Sequence, residues 1–201
     1  MEIKLTHHFI RNCHDLTGLL EGVNTIPEFC KRLNAQSLLH VDRYTEKKYK
    51  GDGFETFGQA LCLLSPADNR IGISDYKLVS KNDDYGVDGI GIGTNGKPMT
   101  VQLKYKSNPT SFIMFNEDHI GNFTGLSTRK YGVDLMDTKN MLVITTAKGL
   151  HHSISENENV LNSNGDMCLR CIGYDELRSM LDNNYNFWNM FRALIKEAAE
   201  A

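Results

Sequence analysis

The sequence predicts an α/β fold in which helices flank a central mixed sheet. Three observations support this class: apolar residues recur at helical spacing near both ends of the chain, an alternating hairpin lies in the middle, and a continuous apolar run follows it. Helix, hairpin, buried strand, strand and helix in this order are typical of helices packed on a mixed sheet.

The N-terminal part, residues 7–45, is predicted to be helical. Two apolar stripes repeat every three or four positions, and Thr25 is followed three residues later by Glu28, which is the spacing of a capping box. We therefore expect an N-terminal helical segment over residues 1–45 and a core domain over residues 46–201. The segment could supply DNA specificity, a dimer contact or a cap on the core.

The stretch between these parts is basic. Residues 47–50 read Lys-Lys-Tyr-Lys and are followed by Gly-Asp-Gly, which predicts either a solvated linker or a phosphate contact. Residues 54–64 then form an apolar stripe at helical spacing, with Glu55 at the edge of the buried face. A short strand is expected over residues 76–80, after a turn-rich stretch.

The hairpin is the clearest element of the sequence. A strand over residues 88–92 leads into a turn containing Asn95-Gly96, and residues 99–106 alternate between apolar and polar side chains. A two-residue turn would pair Asp88 with Leu103 on the apolar face. A loop of three or five residues, or a bulge, would instead bring Asp88 beside Gln102.

The rest of the chain completes the sheet and adds helices. After a polar loop that contains Arg129 and Lys130, residues 141–146 form an apolar run that suits a strand covered on both faces. Residues 168–172 predict another strand. A last helix is expected to open near Asp175, with Asn183-Asn184 as a possible interruption. Cys168 and Cys171 have the spacing of half a zinc site, but no second pair is nearby, so buried strand cysteines are expected.

Composition limits the classes of function only loosely. The 201 residues carry 22 basic and 25 acidic side chains, a net charge of −3, and 40% are apolar, which excludes a wholly disordered chain. The acidic balance disfavours a protein that coats nucleic acid. It does not exclude one that cuts it, because a metal-dependent nuclease needs carboxylates.

The expected location is intracellular, in a bacterial or host cytoplasm, and a viral or phage origin is open. No run of about 18 apolar residues predicts a membrane span, so no membrane partner is expected. The N-terminus lacks a signal-peptide pattern, and five scattered cysteines do not resemble a disulfide framework.

Four polar residues around the hairpin suggest phosphodiester hydrolysis: Asp84, Asp88, Gln102 and Lys104. A carboxylate and a second oxygen ligand could hold Mg²⁺, which prefers oxygen donors and would activate a water for attack on phosphorus. A lysine on the same strand face could offset the developing negative charge. The alternative is that these are polar surface residues on a half-exposed hairpin.

An aspartate followed across a hairpin by Gln-x-Lys, with a glutamate on a preceding helix, resembles the PD-(D/E)XK nuclease superfamily. The match is closest to the branch of methylation-dependent restriction enzymes and Holliday-junction resolvases, and the C-terminal residues resemble nuclease modules of viral and phage helicases. The resemblance implies a restriction-endonuclease-like core and cleavage that depends on Mg²⁺, with Mn²⁺ as a substitute. It assigns four catalytic residues, of which the first three are metal ligands: Glu55, Asp88, Gln102 and Lys104.

The expected partner is DNA, and a homodimer or a helicase partner is possible. Candidate contacts to the DNA backbone are Lys50, Lys106, Arg129 and Lys130. Because Gln102 is neutral where a carboxylate is commoner, a catalytically degenerate DNA-binding or interaction module of the same fold is the alternative function.

Overall fold

The computed structural model describes residues 3, 18–39, 43–65, 68–79, 86–134, 139–156 and 169–200. Its helices are α1 (Ile26–Ser37), α2 (Arg43–Leu64), α3 (Ile120–Arg129), α4 (His152–Ser155), α5 (Tyr174–Leu181) and α6 (Tyr185–Glu200). Its strands are β1 (Ile73–Leu78), β2 (Gly89–Gly93), β3 (Pro98–Lys104), β4 (Phe112–Ile113), β5 (Met141–Thr145), β6 (Gly149–Leu150) and β7 (Leu169–Ile172). None of the described helices is long and apolar enough to cross a membrane.

The chain forms two compact units. One contains the described residues up to Leu64 together with those from Asp175 onward, and the other runs from Ser65 to Tyr174. These units do not coincide with the predicted division at residue 45, which falls inside α2. That division stays a prediction about the organisation of the chain.

The second unit is built on a five-stranded sheet of order β1-β2-β3-β5-β7. The first three strands are antiparallel and the last three are parallel, so the predicted α/β class with a central mixed sheet is confirmed. All five residues of β5 are buried, as expected for a central strand. The short strands β4 and β6 pair in parallel and form a separate two-stranded sheet.

The hairpin between β2 and β3 has a three-residue loop. The Gly93 N–H donates to the Lys97 carbonyl at 2.9 Å, and Gly96 takes a φ of 75°, which a residue with a side chain rarely adopts. Gly89 consequently pairs with Val101. The Asp88 N–H donates to the Val101 carbonyl at 2.9 Å, so Asp88 lies beside Val101 at the end of this ladder and not opposite Leu103.

Strand β2 carries glycine at alternate positions because its neighbours pack directly on its backbone. A Cβ atom on Gly89 would overlap the ring of Tyr76, which is buried in β1. A Cβ atom on Gly93 would lie 2.8 Å from the side-chain oxygen of Asn140. The glycines therefore allow close approach as well as bending.

The first unit begins with the predicted capping box. The Thr25 hydroxyl accepts the Glu28 N–H at 3.3 Å, and the Glu28 carboxylate accepts the Asn24 N–H at 2.9 Å. The hydrogen bond from Asn24 lowers the pKa of the Glu28 carboxyl below its usual value. Behind this cap, Phe29, Phe57 and Trp188 form a buried aromatic cluster with ring centroids 5.0–6.3 Å apart.

Two interruptions in the sequence have different outcomes. The break near Asn183 is confirmed, because Asn183 takes a φ of 61° between α5 and α6 and its N–H donates to the Asn24 carbonyl. The predicted linker over residues 47–53 is wrong, because these residues belong to α2. Tyr49, Asp52 and Gly53 are buried there, so tertiary packing overrides the weak helix propensity of the glycines.

The sequence also missed helix α3 and shifted one strand. Helix α3 lies where a polar loop was expected, and its buried stripe of Ile120, Phe123, Thr124 and Ser127 is half polar. The hydroxyls of Thr124 and Ser127 donate to carbonyls one turn earlier, so polar residues can occupy buried positions of this helix. The sequence therefore shows no continuous apolar stripe there. Strand β1 begins at Ile73, three residues before its predicted start, because Ile73 pairs with Gly93.

We expect Gly89→Ala to lower the free energy of unfolding by about 1–3 kcal/mol, because the added methyl group must displace the buried Tyr76 ring. Gly51→Ala is the matched control, since no described atom lies within 4 Å of its added Cβ and it sits inside α2. It should raise stability by about 0.5–1 kcal/mol. Urea denaturation of both variants checks the pair, and equal stabilities would contradict the packing of Tyr76 on β2.

Candidate functional site

The sheet edge at the carboxyl ends of β3 and β5 gathers three of the predicted site residues. Since β2 runs antiparallel to β3, its first residues lie at this same edge. The Asp88 N–H donates to the Val101 carbonyl at 2.9 Å, and the Asp88 Oδ2 accepts the Leu103 N–H at 2.6 Å. The Asp88 carboxylate is thus held against the backbone of β3 on either side of Gln102.

The side chain of Gln102 is buried, and its polar atoms lack hydrogen bonds within the described residues. Its exposed fraction is 0%, and within the described part of the chain neither Nε2 nor Oε1 has a hydrogen-bond partner. A buried polar group without a partner costs about 1–3 kcal/mol. Gln102 is therefore not a polar residue on a half-exposed hairpin, which was the alternative to a site.

Lys104 lies two residues after Gln102, so its side chain leaves β3 on the same face. Its carbonyl accepts the Thr145 hydroxyl at 2.7 Å and the Thr146 N–H at 3.3 Å, which fixes its backbone against the end of β5. Lys104 is partly buried, and no described carboxylate forms an ion pair with its ammonium group. A cation of this kind is available to an anionic ligand.

Lys106 has a different environment. Its ammonium group lies 2.6 Å from the carboxylate of Asp118, which is almost fully buried and also accepts the Met114 N–H. The Thr146 hydroxyl bonds to both the N–H and the carbonyl of Lys106. The sequence missed both partners. The Thr-Thr pair that ends the apolar run was a possible signal for Thr146, and nothing local indicated Asp118.

The remaining candidates lie elsewhere. Glu55 is half-buried on α2 in the first unit, whereas Asp88, Gln102 and Lys104 belong to the second, so its role as a ligand stays a prediction. Asp84 lies outside the described residues.

The other three basic residues predicted to contact DNA all have protein neighbours. Lys50 pairs with Glu46 at 2.8 Å along α2. Arg129 donates to the Gly125 carbonyl at the end of α3, and the Lys130 ammonium lies 5.6 Å from the centroid of the Tyr131 ring. Their contacts to DNA stay predictions.

The donor set at the sheet edge suits a hard cation. A carboxylate from Asp88 and an amide oxygen from Gln102 are oxygen ligands of the kind that Mg²⁺ takes together with several waters. The unpartnered amide of Gln102 is the observation that fits a missing ligand. Among the described residues, no group of three or more His, Cys, Asp or Glu side chains could hold a metal. Cys168 of the possible zinc half-site lies outside them.

No protein-family model matches this chain, and no curated protein matches it either. The function must therefore be argued from the geometry of the sheet edge and from the pattern of its residues.

We expect Gln102→Met to raise the free energy of unfolding of the metal-free protein by about 1–3 kcal/mol. The apolar side chain fills a similar volume and removes two buried polar atoms that lack partners. Thr100→Val, on the same strand face, is the control: the Thr100 hydroxyl lies 2.7 Å from that of Ser127, so its loss should cost about 1 kcal/mol. Chemical denaturation in EDTA measures both, and destabilisation by Gln102→Met would show that the amide is satisfied.

Proposed function

We propose that this chain is a divalent-metal-dependent DNA endonuclease with a restriction-endonuclease-like, PD-(D/E)XK core, acting inside the cell that makes it. The observation that carries the proposal is the buried, unpartnered amide of Gln102, which lies between the two residues of β3 that bond to Asp88, on the strand that also carries Lys104. A buried polar group without a partner calls for an explanation, and an ion that completes it is one. The mixed sheet and the hairpin between Asp88 and Gln102 agree with the sequence resemblance.

Each residue has a distinct role in this reaction. Asp88 supplies a charged oxygen ligand and Gln102 a neutral one, and the bond from Leu103 N–H keeps the Asp88 carboxylate oriented toward β3. Mg²⁺ held by these two residues would stabilise negative charge at the phosphate and lower the pKa of a bound water. Lys104 places its ammonium on the same face, where it orients the attacking water or neutralises charge on the phosphate oxygens.

The first test removes charge while keeping shape. Asp88→Asn retains an acceptor for the Leu103 N–H but loses the negative charge, so we expect cleavage of plasmid DNA in Mg²⁺ to fall by about 10²-fold or more. Lys104→Ala should lose activity to a similar extent. The matched control is Lys77→Ala, which removes an exposed lysine of β1 from the same unit and should retain cleavage. Wild-type turnover by Asp88→Asn at an unchanged melting temperature would remove Asp88 from the site.

The second test changes the neutral ligand. Gln102→Glu should keep or raise cleavage, because a carboxylate binds Mg²⁺ more strongly than an amide. In EDTA the same variant should be less stable than wild type, since it places a carboxylate at a fully buried position. Its melting temperature should therefore rise more on addition of Mg²⁺ than that of wild type. A melting temperature that does not respond to Mg²⁺ in either protein would favour the degenerate DNA-binding module.

A further inference from the structure

A group of aromatic and cationic side chains lies on the small sheet formed by β4 and β6. We call it the β4–β6 patch, and it consists of Phe112, Lys148, His151 and His152. Phe112 is 39% exposed and is the most exposed phenylalanine among the described residues. At the surface this ring lies beside side chains that can bind an anion.

Backbone hydrogen bonds between the two strands hold the residues of the patch in place. The Lys148 N–H donates to the Ser111 carbonyl at 2.8 Å, and the His151 N–H donates to the Ile113 carbonyl at 2.9 Å. Ile113, next to Phe112, is fully buried in the core of the second unit. The exposed ring is therefore presented on fixed backbone.

The side chains of the patch contact one another. The Lys148 ammonium lies over the Phe112 ring, 5.6 Å from its centroid, and the His151 ring meets Phe112 edge-on at 5.9 Å. The His151 Nδ1 accepts the Ser153 N–H, so the neutral ring carries its proton on Nε2, which can donate to a ligand. Planar apolar surface and anion-binding groups thus occur together.

The patch adjoins the candidate site along the backbone of the same unit. Lys148 follows Thr145 and Thr146, whose hydroxyls bond to the backbone of Lys104 and Lys106. A DNA strand bound at Lys104 would continue onto residues near this end of β5.

The chemistry of the patch fits an unpaired nucleotide. A base stacks on an aromatic ring only when its face is free, whereas the faces of bases in a duplex are covered by their neighbours. Lys148 and the histidines would meet the phosphate of the same nucleotide. From this geometry we infer that the β4–β6 patch binds an unstacked nucleotide of a single-stranded DNA segment. This inference rests on the proposed function and narrows its substrate to DNA with a single-stranded part.

The test measures binding without cleavage. Fluorescence anisotropy in EDTA compares a labelled single-stranded oligonucleotide with a duplex of the same sequence. Phe112→Ala should weaken binding of the single strand by about 5- to 100-fold and change duplex binding by less than about twofold. Phe112→Trp should bind the single strand at least as tightly as wild type. Lys148→Ala should weaken single-strand binding, because it removes both a positive charge for the phosphate and the cation that lies over the Phe112 ring. Tyr185→Ala, which removes a 58% exposed aromatic ring from α6, is the control and should bind both as wild type does.

The outcomes separate this inference from the proposed function. Three results would each overturn the inference. They are an equal loss of affinity for single strand and duplex in Phe112→Ala, no loss of affinity in that variant, and no binding of the single strand by wild type. If wild type cleaves DNA in Mg²⁺ but Phe112→Ala binds as well as wild type, only the inference fails. If Phe112→Ala weakens single-strand binding but neither wild type nor any variant cleaves DNA in Mg²⁺, the inference about the patch holds and the endonuclease proposal fails.

Discussion

The register of the β2–β3 hairpin is the constraint on which the candidate site depends. A slip of one residue would move Asp88 away from Val101 and Leu103, the residues on either side of Gln102 whose backbone groups now bond to it. The three-residue loop that sets this register requires Gly96 at a positive φ. It is held from outside the hairpin by Asn140, whose amide donates to the Asn95 side chain at 3.0 Å and to the Pro98 carbonyl at 3.1 Å. The position of Asp88 is thus fixed by a residue that precedes a different strand.

This distant support explains why the sequence could define the hairpin but not its register. The alternation of residues 99–106 and the Asn-Gly pair are local signals, and they predicted a hairpin where one is found. The choice between a two-residue and a three-residue loop depends on Asn140, and on Tyr76 packing over Gly89, which no local pattern reveals. The capping box at Thr25 was predictable for the opposite reason, since both of its partners lie within four residues.

Burial of the polar face of β3 was the less predictable part of the site. Alternation placed Thr100 and Gln102 on one polar face without showing whether that face is covered; both are fully buried, and Ser127 of α3 contacts Thr100. The two residues then differ in a way that only the structure shows. The Thr100 hydroxyl finds that of Ser127, whereas the amide of Gln102 finds no partner among the described residues. Of these two buried side chains, the unsatisfied one is therefore the one that the resemblance assigns to a metal ligand.

The lysines after Gln102 show the same distinction in charge. Lys104 and Lys106 look equivalent in sequence, because both are basic residues at alternate positions of one segment. Asp118 neutralises Lys106 at 2.6 Å, while no described carboxylate pairs with Lys104. Among the described residues, unpaired positive charge on this strand therefore comes from Lys104, two residues after Gln102, and is not spread evenly over the two lysines. A net charge of −3 is compatible with this arrangement, because one cation placed beside an oxygen donor set determines where an anionic phosphate is stabilised, whatever the sum over the whole chain.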